Sequence, residues 1–175
     1  MKFLGIIFQN DLKWDKQIAR LCKAASRQIY LLKKLKSFPS ITKKDLVLAY
    51  KAHIMNVLEY NSPLLIGMTT THSNMIEKIQ RRCHKIICGL KCSCHAFTSL
   101  AQRRKKRALT FFAKIRNPND MIHKLSPPIL SRSGHVQIQK CSSSRRLSSF
   151  IPRCSILYNE RQRLFKQNRS YKSCK

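Results

Sequence analysis

The chain has 175 residues, 43% of them hydrophobic, which is enough core for one domain with a tail or for two very small domains. Its 36 Lys and Arg stand against 7 Asp and Glu, a formal net charge of +29; this excludes a charge-balanced surface and calls for a polyanion as counter-charge, with nucleic acid the expected partner and an anionic membrane surface the competitor. With only 4 glycines, a chain of many tight turns is excluded in favour of a helical class.

Lys2 to Phe8, rich in Phe and Ile, reads as a short strand. A lone strand leaves its backbone groups unpaired, so this segment looks like the end of a sheet that began elsewhere. It is a poor signal peptide, because Gln9, Asn10 and Asp11 follow at once without a small-residue cleavage site. No run approaches the roughly 18 apolar residues of a membrane span. The expectation is an intracellular protein, nuclear or cytoplasmic, with mostly reduced cysteines.

A long helix is predicted over Asp15 to Ser37, where Ile18, Leu21, Cys22, Ala25, Ile29 and Leu32 recur at three- and four-residue steps. Asp11 or Asp15 is placed to cap or charge its start, and Pro39 ends it. A second helix runs from about Thr42 to Tyr60, with Leu46, Tyr50, Ile54 and Val57 on one face and Thr42 or Ser40 as N-cap. A third spans roughly Ser73 to Leu90, burying Ile76, Ile79, Cys83, Ile86, Ile87 and Leu90, with Gly89 near its end. Thr98 opens a fourth that Asn117-Pro118 stops after Arg116, with Leu100, Leu109, Phe112, Ala113 and Arg116 compatible with it. A short helix over Asp120 to Leu125 follows. Beyond Ser126 the chain turns serine-rich and basic, with Glu160 its one acid; only Phe150 to Phe165 has enough apolar residues to dock. The expected organisation is a strand remnant over 1–14, a helical domain over 15–125 and a basic, partly disordered tail over 126–175.

Chemistry at this chain's own expense is not expected. Two-metal phosphoryl transfer gathers carboxylates around Mg²⁺, and none of the seven acids sits in an Asp-Asp pair. No cofactor is expected. Cys88, Cys92, Cys94 and His95 fall close together but lack the second ligand pair, a loop away, that zinc sites show. They read first as small hydrophobes and second as a zinc site.

The cations carry more pattern. Lys16, Arg20, Lys23, Arg27 and Lys34 follow at steps of four, three, four and seven, one stripe on the first helix. Such a stripe is unfavourable unless a polyanion lies along it. Lys78, Arg81, Arg82 and Lys85 repeat the idea on the third helix, and Arg103, Arg104, Lys105, Lys106 and Arg107 wrap around the fourth. The aromatics Trp14, Tyr30, Tyr50, Tyr60, Phe111 and Phe112 sit mostly at core spacing, so packing rather than base stacking is expected of them.

The order of these segments resembles a known family. Phe3-Leu4-Gly5-Ile6 followed by Leu12-Lys13-Trp14, then Leu31-Leu32-Lys33-Lys34-Leu35, then Val57-Leu58-Glu59-Tyr60-Asn61-Ser62-Pro63 are similar to the segments after the palm in non-LTR (LINE, jockey-type) retrotransposon reverse transcriptases. Ile76-Glu77-Lys78-Ile79-Gln80-Arg81-Arg82, Ile86-Ile87 with Gly89, and Ser149-Phe150-Ile151-Pro152 continue the resemblance. Leu65 departs from it, standing where these elements commonly have an aromatic residue, and the fingers and palm with their tyrosine-x-aspartate-aspartate motif are absent from the chain. The resemblance implies the C-terminal thumb and extension of an RNA-directed DNA polymerase: a mainly α thumb-like bundle behind a strand or hairpin remnant. It would hold template–primer duplex (RNA or RNA–DNA) by phosphate contacts, with the missing fingers and palm as a further partner. The alternative from another class is a free-standing basic RNA-binding structural or regulatory protein.

Overall fold

The computed structural model describes residues 1–11, 13–89, 97–125, 130–132, 135–138 and 140–173. It is mainly α-helical, and the described strands form one hairpin at the start of the chain. Two compact units divide it: Met1–Ser62 with Met68–Arg104, and Pro63–Gly67 with Lys105–Lys175. This division differs from the expected one, because it falls inside a helix rather than at residue 126.

In the first unit, β1 (Lys2–Phe3) pairs antiparallel with β2 (Ile6–Ile7). The expected lone strand therefore folds back on itself. Leu4 and Gly5, at φ +45° and +75°, make the two-residue turn, whose positive angles match the twist of a hairpin. Helix α1 (Asp15–Lys36) follows, burying Ile18, Leu21, Ala25, Ile29 and Leu32 as the periodicity implies, while Cys22 is only half-buried. Neither Asp11 nor Asp15 caps it through a side chain. Gln9 instead accepts the Lys16 backbone N–H at 2.8 Å, satisfying one of the orphan donors of the first turn, and Asp15 contacts His72 at 2.9 Å.

The second expected helix is interrupted. α2 (Lys43–Ala49) opens on Thr42, with a capping box to Asp45, then passes into a π-helical stretch, Tyr50–Met55, and a final turn, α3 (Asn56–Leu58). The wider π turn shifts the inward phase by one residue, so Leu58 is buried where Val57 was expected. α4 (Thr70–Cys88) starts three residues earlier than expected, because the Thr69 hydroxyl accepts the His72 N–H. It buries Ile76, Ile79, Cys83 and Ile87 and ends at Gly89, φ +82°; Ile86 is only half-buried, and Leu90 lies outside the described residues. α1 packs on α4, on the π stretch and on α3, and Phe97 meets Tyr50 edge-on at 4.8 Å between ring centroids.

α5 (Leu100–Arg116) crosses from one unit into the next between Arg104 and Lys105. Its inward residues are Leu100, Arg104, Ala108, Phe112 and Ile115. Ala113 is exposed, and Leu109 and Arg116 are half-buried. After α6 (Met121–Leu125) and α7 (Ser144–Leu147), α8 (Phe150–Ser173) forms within the segment expected to be tail. In the second unit Cys154 joins Ala108, Phe112, Ile115 and Val136 in one core, with Phe150, Ile151 and Tyr158 packed against it. Asn159 fastens the Val136 backbone to α8 by accepting its N–H at 3.0 Å and donating to its carbonyl at 2.9 Å. Arg116 lies 4.1 Å over the Tyr158 ring, a cation–π contact.

Candidate nucleic-acid interface

The stripe on α1 survives folding. Its buried residues occupy one face, which leaves Lys16, Lys23, Arg27 and Lys34 exposed and Arg20 half-exposed. At 1.5 Å per residue the stripe from Lys16 to Lys34 runs about 27 Å. Its members do not share one environment. Lys16 lies beside Asp11 in a shallow cleft at the hairpin end. Arg20, Lys23 and Arg27 line an open groove of about 720 Å³ within the first unit.

The far wall of that groove comes from the π stretch and α3, which contribute Ala52, His53, Asn56, Val57 and Tyr60. Leu21 and Ala24 of α1 also line it. The π turn sets this wall: Ala52 and His53 are both exposed on it, and the Asn56 amide donates to the Ala52 carbonyl at 3.0 Å. Among the described residues no carboxylate lines the groove. Its lining sets three cations, Arg20, Lys23 and Arg27, beside polar His53, Asn56 and Tyr60 and apolar Leu21, Ala24, Ala52 and Val57, a composition that favours an anion carrying an apolar body.

The hairpin is fastened to two of the groove's lining residues. Arg20 donates to the Gly5 carbonyl, and the Tyr60 hydroxyl donates to the Leu4 carbonyl at 2.6 Å. A side chain at position 5 would meet that hydroxyl at 3.4 Å; with the positive φ, this makes glycine the fitting residue there. Tyr60 is thereby pinned by its hydroxyl while the residue remains 42% exposed.

The other sequence candidates separate by environment. Lys78, Arg81, Arg82 and Lys85 lie together on the exposed face of α4. The cationic run on α5 is split. Lys105, Lys106 and Arg107 are exposed, in the second unit. Arg103 is committed to Glu59: Nε donates to Oε1 and Nη2 to Oε2 at 3.1 Å, and this hydrogen bonding holds the guanidinium above its usual range. Arg104 is buried, donates to the Ser73 hydroxyl at 3.1 Å, and burial pulls its pKa down. Both serve the interior of the first unit. The reason is spacing: residues 100, 104, 108 and 112 form one helical row, and the long arginine stem fills its place among apolar neighbours.

Among the described residues no three His, Cys, Asp or Glu side chains come together to hold a metal. Cys88 is half-buried at the end of α4, and Cys92, Cys94 and His95 lie outside the described residues. Buried Cys83 has its thiol pushed up to about 11 by desolvation. No described helix is long and apolar enough to cross a membrane.

The sequence alone does not mark His53, Asn56 or Tyr60 as binding residues, and the spacing of Tyr60 predicts packing. Only the exposed partner wall of α1 reveals them, and no local motif marks it. No family model, curated protein or solved structure matches the chain.

Proposed function

We propose that this chain binds nucleic acid through its phosphates, as the thumb-like C-terminal part of a non-LTR retrotransposon reverse transcriptase. The observation that carries this reading is the groove beside α1, lined by Arg20, Lys23 and Arg27 and, among the described residues, by no carboxylate. Arg20 to Arg27 spans about 10 Å of helix, roughly three base-pair rises at 3.4 Å, so three cations at this pitch suit one strand's phosphates. Such contacts position a duplex without reading its sequence. The family assignment rests on the order of the sequence segments, and the helical fold is compatible with it.

The test is a salt titration of binding to a 20-base-pair RNA–DNA duplex. Replacing Lys23 and Arg27 with Gln keeps helix propensity nearly constant. The log–log salt slope should flatten by about two units, and by about three when Arg20→Gln is added, with little change in sequence preference. Circular dichroism monitors the fold, since Arg20 also holds the hairpin turn. Coinciding slopes for wild type and the double variant would show the stripe to be only a solvated face.

A further inference from the structure

We infer that the groove between α1 and the π stretch receives an unpaired base, so that the site holds single-stranded nucleic acid by stacking as well as by phosphate contacts. This rests on the phosphate-binding reading of the same groove and adds the part of the ligand that charge alone does not explain.

A groove meant only for phosphates needs cations and little else. This one has an apolar floor, with Leu21, Ala24 and Val57 among its lining. At its end stands Tyr60, an exposed ring with a fixed hydroxyl. A ring held at one point loses little freedom when a base stacks on it, and every base has a face to offer, whatever its sequence. Duplex bases are already stacked on each other and cannot enter; an unpaired nucleotide can. The cations on α1 stand on the wall across from His53 and Asn56, so a strand running along α1 would have its phosphates on the cationic side and its bases over the floor. The π turn is what sets this second wall, and π turns recur at functional sites because they displace side chains outward from an otherwise regular helix.

The experiment compares a 12-nucleotide single-stranded RNA with a chain of equal length and charge bearing abasic sites, on wild type, Tyr60→Leu and Tyr60→Phe. Wild type should bind the intact strand on the order of tenfold more tightly than the abasic one. Tyr60→Leu should lose that preference while its salt slope stays unchanged, because no phosphate contact is removed. Tyr60→Phe lacks the hydroxyl bond to Leu4 but keeps the ring, and should stay within about twofold of wild type for a stack worth this much. Equal affinity of wild type for intact and abasic strands overturns the inference, and this comparison needs no variant to fold. Equal losses in Tyr60→Phe and Tyr60→Leu overturn it too, since the hairpin contact would then be what matters. If those results hold against the base while the duplex salt slope still flattens in Lys23→Gln/Arg27→Gln, only the base-binding inference falls; unchanged duplex slopes remove the phosphate reading itself.

Discussion

Replacing Arg103 with Met should destabilise the first unit while leaving the salt slope of the proposed duplex binding unchanged. Glu59, 5% exposed at the end of α3, meets Arg103 through two nearly parallel hydrogen bonds. Removing one partner of a buried pair costs about 3–5 kcal/mol, mostly because the remaining charge stays desolvated. The Arg103 side chain is 33% exposed, so water screens the pair and the lower end of that range applies, about 3 kcal/mol. Glu59→Gln leaves an arginine that can turn to solvent, and should cost less, about 1–2 kcal/mol. The double variant Glu59→Gln/Arg103→Met removes both charges and should be more stable than the two single losses sum to, giving a coupling of about 1–2 kcal/mol. Urea denaturation at neutral pH, with unchanged m-values, measures all three. A cost below about 0.5 kcal/mol for Arg103→Met, within the range of ordinary surface substitutions, or strict additivity in the double variant, would refute the reasoning. The duplex salt slope of Arg103→Met should match wild type; a flattening by about one unit would mean that Arg103 touches phosphate after all.

Thr42→Ala should lower the thermal midpoint at neutral pH, since it removes the α2 cap. Two hydrogen bonds from Thr42 hold the Asp45 carboxyl below its ordinary range. A depressed carboxylate stabilises above its unfolded pKa and loses that contribution as pH falls through the folded one. The gap between wild type and Thr42→Ala should therefore narrow in acid, and a gap constant from pH 7 down to pH 2 would contradict it. Phe112→Ala empties the centre of the second unit, where Phe112 is fully buried, and should cost about 3–5 kcal/mol by urea titration; less than about 1 kcal/mol would mean that this core is not packed as described. Burial pushes the thiols of Cys83 and Cys154 up to about 11 and about 12, so at pH 8 neither should react with iodoacetamide until denaturant is added, as read by peptide mass mapping. Native labelling as fast as in the unfolded chain would count against both placements.

The helices were legible where apolar spacing and capping agree. Ile18 to Leu32 in α1 and Ile76 to Ile87 in α4 can be read from composition alone because each has a single apolar stripe. The segment after Thr42 was half legible: Val57 and Leu58 are both apolar, so a one-residue phase shift leaves no trace in the pattern, and the π stretch stayed hidden. On α5 the five adjacent cations drew attention to charge, although Leu100, Ala108 and Phe112 already place Arg104 on their row. The stretch after residue 125 looked like a tail because its serines and cations outweigh Cys154, Leu157 and Tyr158, which nevertheless occupy one side of α8. Of the groove, the α1 wall was visible as a periodic charge. The opposite wall was not, because His53, Asn56 and Tyr60 become neighbours of Arg20 and Arg27 only when the π stretch packs on α1.

Leu46, Tyr50, Ile54 and Leu58 all face inward, at three successive steps of four. An unbroken α-helix turns about 400° over four residues, so three such steps turn a row by roughly 120°, a drift that the wider π turn takes up here. With Ala52 deleted the spacing becomes four, three, four, the repeat that an ordinary helix buries. The interior thus has no use for the additional residue; its effect is felt on the outside, where it swells the groove wall. Core packing and the groove wall are written into the same sixteen residues in different registers, and a single-codon deletion is the smallest edit that separates the two.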